Sequence, residues 1–300
     1  MGGDAAEGTR SSDPPGGPAA RPGLVLVATP IGNLGDLSPR ALAALRDADA
    51  VLCEDSRVTG GLLARQGVAA TMIPLHDHNE GAQAPRLVER MMAGERFALV
   101  SDAGTPLVSD PGYRLVRAAI DAGVQVSAIP GPNAAVMALS LSGLPPHPFL
   151  FLGFLPAKAG PRAAELARLR QLERAGLSAT LVLYEAPHRL AEALEALAQG
   201  LGAERPAAVA RELTKRFEEI RRATLGDLAE HYATAEARGE ICIVVGPAPV
   251  EEAGAAELDA SLRAAFAAGL SLRDAAASVA EATGLKRRDV YRRALELHEG

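Results

Sequence analysis

A short apolar run, Phe97-Ala98-Leu99-Val100, leads into Ser101-Asp102-Ala103-Gly104-Thr105-Pro106-Leu107-Val108-Ser109-Asp110-Pro111-Gly112, and a helical pattern over 113–122 follows, ended by Gly123. A buried strand, a long loop of Gly, Pro and Asp, and a helix in that order leave few folds open. In open α/β sheets, ligands bind where loops leave the carboxyl ends of strands. Connections in compact domains usually take about four to six residues, and this one has twelve. Its glycines allow backbone to approach a ligand closely, and its prolines hold one loop shape.

Two further loops repeat the arrangement. A strand over 24–28 precedes Thr29-Pro30-Ile31-Gly32-Asn33-Leu34-Gly35-Asp36-Leu37-Ser38, and a strand over 126–129 precedes Pro130-Gly131-Pro132-Asn133-Ala134. Ser38 and Pro39 suit an N-cap and a first-turn proline for a helix over 39–46. Strands over 50–53 and 71–74 and helices over 58–65 and 85–93 complete the first half. Alternating units of this kind imply a largely parallel sheet covered on both faces.

Gly143-Leu144-Pro145-Pro146-His147-Pro148 interrupts the pattern and reads as a linker. Strands over 149–153, 180–184, 207–210, 217–223 and 240–246 follow, with helices over 162–174, 187–198 and 225–234. The expected organisation is a tail over 1–22, α/β domains over 23–145 and 146–248, and a helical extension over 257–300. In that extension Ser271 suits an N-cap with Asp274 three residues on, the helix ends near Thr283-Gly284, and another helix runs over 286–297. Helix, Gly turn and helix outline a helix-turn-helix. Lys286, Arg287, Arg288, Arg292 and Arg293 make the last helix basic, which suits either a solvated face or a contact with RNA.

Composition narrows the options. Aromatic residues are only 3% of the chain and Trp is absent. The core is therefore built from Leu, Val, Ile and Ala, and platforms for base stacking are scarce. A net charge of −6 argues against coating nucleic acid by charge alone, though not against a local basic patch. Cys53 and Cys242 lie in apolar runs and read as buried free thiols. No His/Cys cluster has metal-site spacing, so no metal is expected. No apolar run is long enough for a membrane span, and the start lacks a signal-peptide pattern, so a cytoplasmic protein is expected. The first 22 residues are too rich in Gly, Pro and Asp to pack and are expected to be disordered. Neither G-x-G-x-x-G nor G-x-x-x-x-G-K-[ST] occurs, which excludes the usual dinucleotide and P-loop readings.

Together, ATPIGNLGDLS, CEDSR, VSDAGTPLVSDPG, IPGPNA, GFLP, YEAPHR and ARELTK resemble the tetrapyrrole methylase superfamily, the class III S-adenosylmethionine (SAM) methyltransferases. The wording is closest to the branch that 2′-O-methylates a cytidine of 16S rRNA in the small ribosomal subunit. The resemblance runs from about Leu24 to Pro247. It implies two α/β domains with SAM in the cleft between them, a homodimer, and 16S rRNA as partner. It also implies cofactor contacts from Pro30, Asp102, Gly104, Leu107, Val108, Asn133, Ala134, Tyr184, Leu213 and Pro247.

Methyl transfer from a sulfonium is an in-line displacement, so the protein's task is chiefly orientation. A ribose 2′-hydroxyl is a poor nucleophile, and a base or a cation that favours the alkoxide helps it. Charged sets follow three strands: Glu54, Asp55 and Arg57; Glu185, His188 and Arg189; Arg211, Glu212 and Lys215. Each set also suits an ordinary structural ion pair. Lys215 and Glu185 are the candidates for activating the hydroxyl, and Arg57, Arg189 and Arg211 for holding phosphates. Two other functions remain open at this point. A tetrapyrrole C-methyltransferase would more often read Gly-Asp-Pro where this chain has Ser101-Asp102-Ala103. A non-catalytic RNA-binding factor would have no use for intact cofactor loops.

Overall fold

The computed structural model describes residues 23–249 and 255–299. The tail expected over 1–22 lies outside the described residues, as does the middle of the linker after Pro247. The described residues up to Gly246 form one compact unit, and the described residues from Pro247 onward form a second.

The first half of the large unit contains strands β1 (Gly23–Val27), β2 (Ala50–Cys53), β3 (Met72–Pro74), β4 (Phe97–Leu99) and β5 (Gln125–Ile129). They form one sheet in the order β3-β2-β4-β1-β5, with every pairing parallel. Ala50-Val51-Leu52-Cys53 is buried at every position, as befits a strand covered on both faces. Helices α1 (Pro39–Asp47), α2 (Ser56–Arg65), α3 (Glu80–Met92), α4 (Tyr113–Asp121) and α5 (Ala134–Ser142) follow the five strands in turn. The Ser38 hydroxyl accepts from Ala41 N at 3.1 Å with Pro39 in the first turn, and Asn133 caps α5 through Val136 N. Both caps satisfy amide donors that a helix start leaves open.

Helix α3 corrects the expectation that it begins at Pro85. It begins at Glu80, and Pro85 sits inside it. The buried carboxylate of Glu80 accepts from Leu115 N at 2.9 Å, at the start of α4. Gly112 precedes α4 and has no side chain to cap it, so Glu80 supplies the missing acceptor from a neighbouring helix. That tertiary bond anchors the turn before the proline.

The second half holds β6 (Phe149–Phe154), β7 (Thr180–Glu185), β8 (Pro206–Arg211), β9 (Glu219–Thr224) and β10 (Ile241–Val245), with α6 (Ala159–Arg174), α7 (Leu190–Leu201) and α8 (Leu225–Thr234). The order is β6-β7-β10-β8-β9. Only β6 and β7 are parallel; β10 runs antiparallel to β7 and β8, and β8 to β9. The repeat of the first half's parallel architecture is therefore not kept. Leu190, Leu194, Leu197 and Leu201 put one apolar face of α7 into a core with Leu181, Leu183 and Ile243.

The C-terminal unit is a bundle of α9 (Ala255–Ala267), α10 (Leu272–Thr283) and α11 (Arg287–Glu299). Leu262, Ala276, Val279, Val290 and Ala294 form its core. Ser271 caps α10 through Asp274 N, and Gly284 ends it in a left-handed conformation. These are the capping features read from the sequence. Among the described residues no helix is long and apolar enough to cross a membrane.

Candidate active site

The loops after β1 and β4 lie side by side because their strands are neighbours. Thr29 and Gly104 exchange backbone hydrogen bonds, N to O at 2.8 and 3.1 Å, and the Thr29 hydroxyl donates to Ser101 O at 3.1 Å. Thr105 Oγ1 donates to Pro132 O at 2.9 Å, which joins the β4 loop to the loop after β5. The three Gly/Pro loops thus form one braced wall. Gly104 takes φ +88 and Gly112 φ +126, while Leu107 and Ser109 also have positive φ. Such strain in non-glycine residues persists only where the surroundings over-determine it.

A cavity of about 360 Å³ lies between this wall and β7, β8 and β10 of the second sheet. That volume falls within the usual range for small-molecule sites, about 300–1,000 Å³. Ile31, Ala134, Ala210 and Leu213 make its walls apolar, and Asp110, Glu185 and Glu240 bring three carboxylates to it. Burial, with the charges of Glu54 and Asp102, pushes the Asp110 carboxyl up to about 6, against a smaller opposing hydrogen bond from Ser101. Burial likewise raises Tyr184 and Cys242, each to about 12, so both remain neutral at physiological pH.

Among the residues expected to hold a cofactor, Gly104, Val108, Ala134, Tyr184 and Leu213 line this cavity. Four others do not line it. Pro30 and Asp102 line a second groove with Gly32 and Arg57, and Asp102 Oδ1 accepts from Asp55 N at 3.1 Å. Leu107 packs into the first sheet's core. Asn133 caps α5 and donates to Thr105 Oγ1 at 3.4 Å. Pro247 opens the C-terminal unit.

Most of the charged candidates are held in ion pairs. Arg57 is 89% exposed and is held by Asp55 at 2.6 Å; its hydrogen bonds pull the Asp55 carboxyl down to about 2. Glu185, 3% exposed, accepts from Ala186 N at 2.8 Å and pairs with Arg189 at 3.2 Å. Arg189 also donates to Leu155 O at 2.6 Å. Arg211 faces Glu219 across the β8–β9 ladder and bonds it at 2.6 Å, a cross-strand charge pair. Lys215 bonds Glu212 at 2.9 Å and Glu240 at 3.3 Å. Burial opposes the Lys215 charge, but these two partners outweigh it and raise its pKa. A lysine held protonated stabilises an oxyanion and does not act as a base.

Lys286, just before α11, and Arg287, Arg288 and Arg292 within it are exposed. Arg293 departs from the basic face expected of it. Its guanidinium grips both oxygens of Asp259 at 2.6 Å and Glu296 at 2.7 Å, fastening α11 to α9. The sequence reading missed Ile31, Thr105, Asp110, Phe154, Glu240 and Cys242, all of which line the cavity. Ile31, Thr105 and Asp110 lie inside loops already singled out. Phe154 lies inside the GFLP stretch, Cys242 was read only as a buried thiol, and Glu240 only as the start of a strand. Among the described residues no grouping of His, Cys, Asp and Glu suits a metal.

A family profile described as Tetrapyrrole (Corrin/Porphyrin) Methylases matches residues 23–229, and one described as RsmI C-terminal HTH domain matches residues 252–298. Ribosomal RNA small subunit methyltransferase I of Mesorhizobium japonicum is 50% identical over 279 residues, covering 93% of each chain. Among solved structures, a uroporphyrin-III-C-methyltransferase from Thermus thermophilus is 25% identical with a TM-score of 0.51, covering 75% of this chain and 94% of its own. A Thermus thermophilus uroporphyrin-III C-methyl transferase complexed with S-adenyl homocysteine is 20% identical with a TM-score of 0.52, covering 74% and 96%, a likeness of fold. Fold, loops and relatives agree: the chain belongs to the tetrapyrrole methylase family, on the branch of the ribosomal RNA small subunit methyltransferase I proteins.

Proposed function

We propose that this protein transfers a methyl group from S-adenosylmethionine to the 2′-hydroxyl of a cytidine ribose in 16S rRNA. The observation that carries the reading is a full-length relationship: 50% identity to a small-subunit rRNA methyltransferase across 93% of both chains. The cavity suits the cofactor. Apolar walls at Ile31, Ala134 and Leu213 fit an adenosine, Gly104 offers bare backbone, and the carboxylates of Asp110, Glu185 and Glu240 fit a cationic ligand. S-adenosylmethionine supplies an electrophilic methyl group on a sulfonium. Lys215, held charged by Glu212 and Glu240, stands beside the cavity to favour the 2′-alkoxide. Glu185, locked by Arg189, keeps the cavity wall rigid. Rigid placement of this kind is what an in-line displacement requires.

The substrate is the small ribosomal subunit, with the exposed cations Lys286, Arg287, Arg288 and Arg292 contacting its phosphates. Arg57 and Arg211 add phosphate contacts near the cleft. The protein works in the cytoplasm as a homodimer. Exposed apolar side chains, Val136 at 49% and Phe149 at 45%, support the dimer, and light scattering tests it. The decisive experiment is transfer of tritiated methyl to purified small subunits that lack the modification, with mapping of alkali-resistant positions. Label on a base, or none at all, refutes the proposal.

A further inference from the structure

Strand β6 does not alternate regularly. Phe151 pairs with Val182 and Gly153 with Leu183, so Leu152 is an extra residue in the ladder. In a regular strand, residues three apart point to opposite faces. The insertion cancels that difference, as bulges beside active sites commonly do. Phe151 and Phe154 consequently both meet the ring of Tyr184, with centroids at 4.9 and 5.7 Å in T-shaped arrangements. Gly153 takes φ +65, the left-handed conformation that this bulge needs and that glycine adopts without strain.

The outcome is unusual for this chain. It has six Phe, four Tyr and no Trp, and three of those ten rings meet one another, two of them, Phe154 and Tyr184, lining the cavity. Phe151 and Tyr184 are part of an apolar cluster, whereas Phe154 is 53% exposed and still lines the cavity. Its backbone is firmly held. The next residue, Leu155, is buried, and its carbonyl accepts from Arg189 at 2.6 Å. A rigid ring is thus braced by an edge contact on one side and open on the other, at the rim of the methyl-donor site.

We infer that Phe154 is a stacking platform for a nucleobase of the RNA substrate. The inference rests on the rRNA methyltransferase reading above. A ribose can reach a methyl group inside a cavity only if its nucleotide leaves the surrounding RNA stack, and a splayed base finds its resting place on an aromatic face. The cofactor is the competing occupant of such a ring. The cavity interior, at Ile31, Ala134, Ala210 and Leu213, is the part that can bury a small molecule. Phe154 stands outside that interior, where a segment arriving from a macromolecule passes first.

The test compares Phe154→Ala, Phe154→Leu and Phe154→Trp with the parent enzyme, by tritiated methyl transfer to small subunits lacking the modification and by calorimetric titration of S-adenosylmethionine. Ala and Leu are expected to lower kcat/KM for subunits about tenfold or more, the scale of a lost base stack, with unchanged cofactor affinity. Trp is expected to restore it. A ring that merely packs would be replaced by Leu, so a Leu variant as active as the parent overturns the inference. A loss of cofactor affinity in step with activity overturns it too, because the ring then belongs to the cofactor. If the parent enzyme itself transfers no methyl to subunits, the functional reading fails and the inference falls with it.

Discussion

The stem of Lys215 fills the space that a side chain would need at Gly32: a Cβ built on Gly32 would overlap Lys215 Cγ and come within 2.9 Å of Cε. Gly32 belongs to the loop after β1 and Lys215 to the turn after β8, so the two sheets meet here without an intervening side chain. The ammonium at the end of that stem is shared between Glu212 and Glu240.

Gly32→Ala should therefore act at a distance, by displacing Lys215. Both Gly32→Ala and Lys215→Ala are expected to slow single-turnover methyl transfer about tenfold or more, the range for a group that assists the nucleophile, with cofactor affinity nearly intact. Unchanged rates in Lys215→Ala would remove the lysine from the chemistry.

Gly104→Val should weaken cofactor binding at least about tenfold. The residue sits at φ +88, and a Cβ there would lie 3.4 Å from Ile31 Cγ2, within the cavity wall. Valine is strained at such a φ and takes up room where backbone now faces the ligand. Asp102→Ala should have a milder effect, since it loses the bond to Asp55 N and no wall atom. Titration calorimetry distinguishes the two.

Asp110 makes the free protein's stability depend on pH in an unusual direction for an acid. Its carboxyl is raised from an ordinary 3.8 to about 6 by burial and by neighbouring carboxylates. A raised folded-state pKa gives stability that is full below about 4 and is lost as pH climbs through about 6. Asp110→Asn removes that loss. Calorimetric melts should show the variant with the higher Tm at pH 7.5, and the difference should close as pH falls toward 4. A difference that widens on acidification would contradict the assignment.

The cations of α11 should separate into two classes. Arg287→Ala with Arg288→Ala is expected to raise the KM for subunits and flatten its dependence on salt, since fewer counterions are released on binding. Arg293→Ala is expected to lower the melting temperature of the C-terminal unit through loss of its Asp259 and Glu296 bonds. Removing residues 255–300 should spare cofactor binding while impairing engagement of RNA.

What the sequence made legible was local. Glycine and proline clusters after apolar runs marked the three loops, because turn chemistry is written in consecutive residues. Caps at Ser38 and Ser271 could be read for the same reason, whereas the Asn133 cap was not. Non-local pairing could not. Nothing in Ile241–Val245 says that it inserts antiparallel between β7 and β8, since a buried strand has the same apolar run in either direction. The partners Glu219 of Arg211 and Glu240 of Lys215 come from other strands or turns, so which acid each cation would pair with could not be read. Phe154 lay inside the GFLP stretch, but the face it takes could not be read, because one extra residue in β6 reverses the alternation on which a period-two reading depends.

The aromatic cluster also gives this chain an optical property. It has four tyrosines and no tryptophan, and Tyr184 is the tyrosine that lines the cavity, half-buried. Its emission, excited without background from indole, is a built-in report of what enters the site. Phe154→Trp would place the chain's sole indole on the rim beside it. Energy passing from phenol to indole would then register the arrival of substrate as a change of colour in the unlabelled enzyme.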